Sequence, residues 1–485
     1  MKKKPVSVVD ITWARPPVPP AGHVAVSAPG QPMRVARELV QALYTLPSGV
    51  ILRSHRGDFY RSDGIRYLEI DRRDVRRTAY DYLENAVYLH PKEGWLPFAP
   101  TQRKIADVLD ALHACVLIES RPDAPLWIDY RATPPASEIV AMTNGLLHVR
   151  TRILHAHTVQ YFNHHALPFA YEPQAPRPTT WLAFLDELWG DDTDTIDALQ
   201  EALGYILGGD TSLQKIFLFV GPKRGGKGTI GRVLTGLLGA HHVAAPTLAS
   251  LSTNFGLSPL IGKSLALIAD ARLGRAETYV VVERLLSISG EDSLTIDRKY
   301  REPWTGRLPT RFLIMTNELP KLSDASGALA SRFVVFVLTK SFYGSENPRL
   351  TEHLLHEAPG IFNWSLEGLD RVLARGYLVN PDSGREAVQQ LEDLSSPISA
   401  FLRDRCIVRF DASVPVDALW TAWKAWCESN GQGIGTKAVL GRDLRAAVPT
   451  IRRERPRSED GEDREYVYTG LGLGTETTVP RSWDH

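Results

Sequence analysis

The 485-residue chain has no net charge: 56 lysines and arginines balance 56 aspartates and glutamates. That balance excludes attraction to a polyanion through global charge, so any nucleic-acid surface must come from local segregation of basic residues. Cysteine is scarce. Cys115, Cys406 and Cys427 stand far apart, with no CxxC and no Cys/His pairing, so neither a disulfide framework nor a zinc site is indicated. A reducing, cytoplasmic setting fits that usage. No run of 18 apolar residues occurs, so no membrane-spanning segment is expected. The basic start, Met1-Lys2-Lys3-Lys4, has no apolar core after it before Asp10, unlike a secretory signal.

What is present reads as a multidomain α/β chain, since 485 residues exceed what one core usually supports and 43% of them are hydrophobic. Residues 1–35, with Pro16, Pro17, Pro19, Pro20, Pro29 and Pro32, read as a mobile arm. Residues 36–175 mix strand-like and amphipathic runs, as an N-terminal α+β domain would. A proline-rich connector at 171–178 leads into a helical stretch, 176–210, where Trp181, Leu182, Leu185, Leu188, Leu199 and Leu203 recur near helical spacing. From 211 to 380 short apolar runs alternate with helical segments, as in a sheet covered by helices. A Gly/Pro/Asp/Ser cluster at 380–384 precedes a smaller unit at 390–475.

The strongest local signal follows the apolar run Ile216-Phe217-Leu218-Phe219-Val220. There Gly221-Pro222-Lys223-Arg224-Gly225-Gly226-Lys227-Gly228-Thr229 leads into a helical stretch at 230–238. A buried strand, a glycine-rich turn and a helix are the parts of a P-loop. Backbone N–H groups and the helix N-terminus hold phosphates, and Lys227 reaches the terminal ones. The hydroxyl that usually follows the lysine and ligates Mg²⁺ is replaced by Gly228, with Thr229 one residue later. ATP and Mg²⁺ are the ligands this pattern calls for, with Thr229 a candidate for the metal.

The apolar run 264–269 ends in Asp270, placed as a strand-end carboxylate holding Mg²⁺ would be. A second acid, often found just before it as base, is Ala269 here, which leaves Glu283 as a candidate base. A further strand-like run at 312–316 ends in Asn317, whose amide suits sensing the γ-phosphate. Arg332 opens the next such run and suits an arginine finger. Between them, Arg298, Lys299, Tyr300 and Arg301 cluster around a turn, as in a hairpin gripping a phosphate backbone and stacking on bases. In the last unit, helices are predicted at 396–403, 416–426 and 437–447, the third exposing Lys437, Arg442 and Arg445. Arg452, Arg453, Arg455 and Arg457, an acidic turn at 459–463 and Tyr466-Val467-Tyr468 complete the pattern of a winged helix, with a protein-contact module as the other reading.

As an ordered set, residues 221–229, Asp270, the basic hairpin through Lys299, Asn317-Glu318-Leu319-Pro320 and Arg332 resemble superfamily 3 helicases of the phage and plasmid primase-helicase branch. Met142-Thr143-Asn144-Gly145-Leu146-Leu147 and residues 181–204 look like the region before the motor in that family. The resemblance implies an AAA+-like P-loop NTPase core and a homo-hexameric ring moving 3′-to-5′ on single-stranded or forked DNA, with a separate primase or polymerase as partner. It assigns ATP and Mg²⁺ to Lys227 and Thr229, metal to Asp270, DNA to Lys299, phosphate sensing to Asn317 and action in trans to Arg332. Asp71, Asp74 and Asp129 do not make a primase's acidic cluster. The acid missing at 269 and the glycine at 228 keep two other readings open: an ATP-regulated replication initiator, and a nucleotide-switched scaffold.

Overall fold

The computed structural model describes residues 18–118, 123–131, 133–269, 278–320, 322, 328–455 and 465–474. The chain divides into two compact units, one of residues 1–129 with 158–163, the other of residues 130–157 with 164–485. That division falls well before position 175, where the sequence suggested a boundary. Among the described residues no helix is long and apolar enough to cross a membrane.

In the first unit, helices Pro32–Leu43, Arg72–Glu84 and Gln102–Cys115 surround an antiparallel sheet of strands Leu52–His55, Asp58–Ser62 and Tyr67–Ile70. Val35, Leu39, Phe59, Val75, Leu83, Phe98, Ile105 and Leu109 form its core. The expected arm is shorter than 35 residues: Val24–Ala25 pairs in parallel with Ala86 and Val87, and the Pro32 helix buries Val35 and Ala36. Residues 1–17 lie outside the described residues. Asp71 has a structural duty, since its carboxylate caps the Arg72 helix by accepting from the Arg73 N–H.

The second unit is built on a parallel sheet. Its elements are α1 (Thr193–Leu207), β1 (Ile216–Val220), α2 (Lys227–Leu238), β2 (Val243–Ala244), β3 (Leu265–Ile268), α3 (Thr278–Ser289), a hairpin of β4 (Leu294–Arg298) and β5 (Arg301–Gly306), β6 (Arg311–Thr316), β7 (Phe333–Val337), α4 (Ala358–Arg375) and α5 (Asp382–Ser395). Strand order is β2-β3-β6-β1-β7, all neighbours parallel. Alternation sends successive side chains of β1 to opposite faces. Phe217 and Phe219 enter a core with Leu199, Leu234 and Phe362, whereas Ile216 and Leu218 enter another with Val281, Leu285 and Leu391. Both faces are therefore covered, which is why the strands read as continuous apolar runs.

Several sequence features that carried no chemistry become packing devices. Asn144 bonds the backbone of Tyr171 twice, through Oδ1 to its N–H at 2.8 Å and through Nδ2 to its carbonyl at 3.0 Å. A side chain on Gly145 would lie 2.5 Å from the His155 carbonyl. Helices α1 and α4 cross at Gly204 and Gly368; a Cβ on the first would sit 2.2 Å from the Ser365 carbonyl, and one on the second 2.5 Å from that of Gln200. Beside the crossing, buried Glu201 pairs with Arg371 and Arg375.

The segment that builds the parallel sheet and its cover does not stop at 380. Asn380 accepts the Val335 N–H at 2.9 Å and donates to the Phe333 carbonyl at 3.1 Å, finishing the edge of β7, and α5 then buries Ala387 and Leu391 on the sheet. After it come α6 (Pro397–Arg405), β8 (Cys406–Pro415), α7 (Val416–Ser429), α8 (Lys437–Ala447), β9 (Arg452–Glu454) and β10 (Val467–Leu473), with sheet order β8-β10-β9. The predicted three helices and hairpin thus gain a strand, β8, that sequence reading left out. Leu419, Trp423 and Trp426 bury one face of α7 against Phe401 and Leu444.

Gly204→Val should lower the thermal unfolding midpoint of the full chain, because overpacking a closed helix crossing costs about 1–3 kcal/mol. Gly30→Val, at a position without a left-handed φ where an added Cβ meets nothing within 4 Å, is the comparison for the loss of glycine without overpacking. Equal midpoint losses in the two variants would contradict the packing account.

Candidate functional site

The glycine-rich turn leaves β1 at the C-terminal edge of the parallel sheet and feeds α2. Gly226 is the residue before the helix, at φ 90°, a left-handed backbone that glycine adopts without strain. It also allows close approach, since a Cβ there would lie 2.7 Å from Leu188 Cδ2. From below, the segment after β7 holds the turn: Ser341 Oγ donates to the Lys223 carbonyl at 2.9 Å, and the Phe342 N–H to the Arg224 carbonyl at 3.1 Å. Arg224 itself pairs with Glu346 at 3.4 Å.

Lys227 is the first residue of α2. Its Nζ donates to the carbonyls of Gly221 at 2.5 Å and Pro222 at 2.7 Å, and reaches Asn317 Oδ1 at 3.3 Å. Burial lowers the Lys227 pKa from its ordinary value. Asn317 comes to the lysine because β6 lies beside β1, with Thr316 opposite Val220. A lysine, a carboxamide and the free N–H groups of a helix start therefore converge at one sheet edge, a combination suited to binding an anion.

Thr229 Oγ1 accepts from Arg232 Nη2 at 3.1 Å, and Arg232 Nε donates to Thr351 Oγ1 at 3.1 Å. Sequence reading missed Arg232, although a cation one helical turn beyond a glycine-rich turn is a visible signal. Asp270, the candidate metal carboxylate, lies outside the described residues. Among the described residues no group of three or more His, Cys, Asp or Glu is arranged to hold a metal ion. Glu283 is exposed on α3 and lines a cavity of about 570 Å³ with Ile398, Trp423, Val439 and Arg442.

Arg332 does not project as a free finger here. Its guanidinium donates to the Leu286 carbonyl and to Ser289 Oγ, the latter at 2.7 Å, and so closes the C-terminal turn of α3. The basic hairpin does form. Arg298 pairs with Arg301 across a two-residue turn, Tyr300 is 93% exposed at its tip, and Lys299 Nζ lies 5.2 Å from the Tyr300 ring centroid. Arg298 Nε is held by the Glu302 carbonyl at 2.9 Å.

In the C-terminal unit, Lys437, Arg442 and Arg445 are exposed on α8 as expected. Lys437 pairs with Asp417, and Arg442 with Asp443 at 2.9 Å. Arg453 stacks 4.2 Å above the Tyr466 ring, with Arg455 at 5.5 Å. Arg457 and the acidic turn at 459–463 lie outside the described residues.

Arg332→Ala should lower the thermal midpoint modestly, at a cost of about 0.5–1.5 kcal/mol for each lost hydrogen bond, because it removes a donor from Ser289 Oγ and from the Leu286 carbonyl while the first still donates to the Leu285 carbonyl and the second still accepts the Gly290 N–H. Asn317→Ala, at an exposed position, should leave the midpoint unchanged. Thermal melts of both proteins check this, and an unchanged midpoint for Arg332→Ala would remove its structural role.

Residues 42–190 match the family described as D5 N terminal like, and residues 219–332 match a family of unknown function, DUF5906. Among solved structures, the chain is similar to the apo structure of NrS-1 C terminal region (305–718), with TM-score 0.53 and 13% identity over 90% of this chain and 98% of that one. The A form apo structure of the same region gives TM-score 0.51 and 13% identity over 90% of this chain and 99% of the other. At that identity the likeness is one of fold. The D5-type match and this shared fold fit the primase-helicase grouping that the ordered motifs resemble.

Proposed function

We propose that the chain is an ATP-dependent DNA translocase, a helicase of replication in a phage, prophage or plasmid, acting as a homo-hexameric ring with 3′-to-5′ polarity. The observation that carries this reading is the meeting of Lys227 Nζ with Asn317 Oδ1 at 3.3 Å beside the start of α2, on a parallel sheet with β1 between β6 and β7. A phosphate chain lying on that turn would take the lysine from the Gly221 and Pro222 carbonyls, exchanging two neutral acceptors for charged oxygens. Asn317 would then report the presence of the terminal phosphate to β6, the strand next to β1.

The Thr229 hydroxyl and the Asp270 carboxylate are hard oxygen donors, the chemistry that Mg²⁺ prefers, and would hold it in this reading, Thr229 once Arg232 Nη2 has left its oxygen. The metal, when bound, neutralises charge developing on the transferred phosphoryl group. The hairpin of β4 and β5 supplies an exposed cation and an exposed ring, Lys299 and Tyr300, for a nucleic-acid backbone and its bases. The order α6-β8-α7-α8-β9-β10 supports a winged helix, with Lys437, Arg442 and Arg445 on the helix that would face DNA and Arg453 on the following strand.

One observation favours the initiator or scaffold instead: Arg332 is engaged within its own chain. Action in trans would require it to leave α3.

Single-stranded DNA should stimulate ATP hydrolysis by the full chain, and Lys227→Ala should reduce that rate by roughly 100-fold or more, the scale of lost transition-state charge stabilisation. The same protein should separate a forked duplex. ATP hydrolysis with a site-specific footprint on duplex DNA and no strand separation would identify the initiator instead. Lys299→Ala with Tyr300→Ala should weaken single-stranded DNA binding and flatten its salt dependence by about one ion for the lost lysine; a titration at several salt concentrations reads this.

A further inference from the structure

We propose that Arg232 is a second phosphate-binding cation of the turn, admitted by the glycine at position 228 and aimed by two threonine hydroxyls. The proposal rests on the nucleotide reading above. Arg232 lies on α2, and long helical side chains lean back towards the N-terminus of their helix. Its guanidinium therefore comes to the turn. Nη2 donates to Thr229 Oγ1 and Nε to Thr351 Oγ1, each at 3.1 Å. A Cβ on residue 228 would lie 3.3 Å from Nη1, closer than ordinary contact, so a side chain there and this guanidinium compete for one place.

In the common P-loop pattern that place belongs to the hydroxyl after the lysine. Here a permanent positive charge with a planar fork of five donors stands beside it. Two donors are used by the threonines. Among the described residues Nη1 makes no hydrogen bond and no carboxylate pairs with Arg232. A solvent-exposed cation with spare donors, one helical turn past Thr229 and five residues past Lys227 on the same helix, is matched by an anion with several oxygens. The triphosphate is the anion that the neighbouring lysine already selects. Arg232 would thus carry part of the charge neutralisation otherwise left to the divalent metal, and binding would survive removal of that metal.

The test is equilibrium binding of a fluorescent N-methylanthraniloyl ATP to the full chain, in Mg²⁺ and in EDTA. Wild-type protein should keep binding in EDTA. Arg232→Gln, which keeps the aliphatic stem and an amide NH₂ at the Nε position but removes the charge and the Nη groups, should weaken EDTA binding by about tenfold, the scale of one charge-assisted hydrogen bond. Gly228→Ser should weaken it too, by displacing the guanidinium. Arg232→Gln binding within twofold of wild type in EDTA, or no wild-type binding without Mg²⁺, overturns the proposal and leaves the nucleotide reading standing. No wild-type binding in either buffer overturns both, and Lys227→Ala marks that limit.

Discussion

The glycine-rich turn is held in place by backbone contact, and the arrangement of the site follows from that constraint. Gly221 lies so close to the end of β7 that a Cβ would stand 2.2 Å from the Leu338 carbonyl, and Gly226 lies against Leu188. Ser341 and Phe342 hydrogen-bond the carbonyls of Lys223 and Arg224 from the same side. With several backbone groups of the turn fixed by carbonyls and side chains, the start of α2 faces away from the sheet with its N–H groups available. A looser turn would offer the same residues without the same convergence.

The parallel sheet makes the convergence possible. In a parallel arrangement the C-terminal ends of neighbouring strands share one edge, so residues distant in sequence meet there. Gly221 follows β1 and Asn317 follows β6, which brings a lysine and a carboxamide ninety positions apart within hydrogen-bonding reach. The two cores above and below the sheet, one including Phe217 and Phe219, the other Ile216 and Leu218, cover β1 on both faces. Arg332, just before β7, is drawn onto the last turn of α3, so a residue on the next strand edge serves local structure in this conformation.

Much of this was legible beforehand where a residue's role is local. The strand, turn and helix around Lys227, the exposed hairpin tip at Tyr300 and the helix 437–447 follow from short-range pattern, because apolar runs, glycine clusters and amphipathic spacing act within a few residues. Less legible was β8, whose alternation is broken by a bulge between Val408 and Ser413 that leaves Phe410 95% exposed. The role of Asn380 was hidden as well, since its Gly/Pro/Asp/Ser neighbourhood looks like a linker while its side chain completes the edge of β7. Arg332 reads as a projecting cation in sequence, because nothing local announces the carbonyl of Leu286.

By itself the sequence determined the strand, glycine-rich turn and helix around residues 216–238 and the buried nature of the strands beside them, because glycine content and hydrophobic runs act through local backbone freedom and solvation. Only the tertiary structure decided which side chains reach that turn. Asn317 arrives through strand adjacency, Arg232 through the lean of its helix into a gap left by Gly228, and Arg332 is turned away to α3. Contacts of this kind depend on which elements become neighbours, and that is set by the packing of the whole sheet rather than by any short stretch of chain.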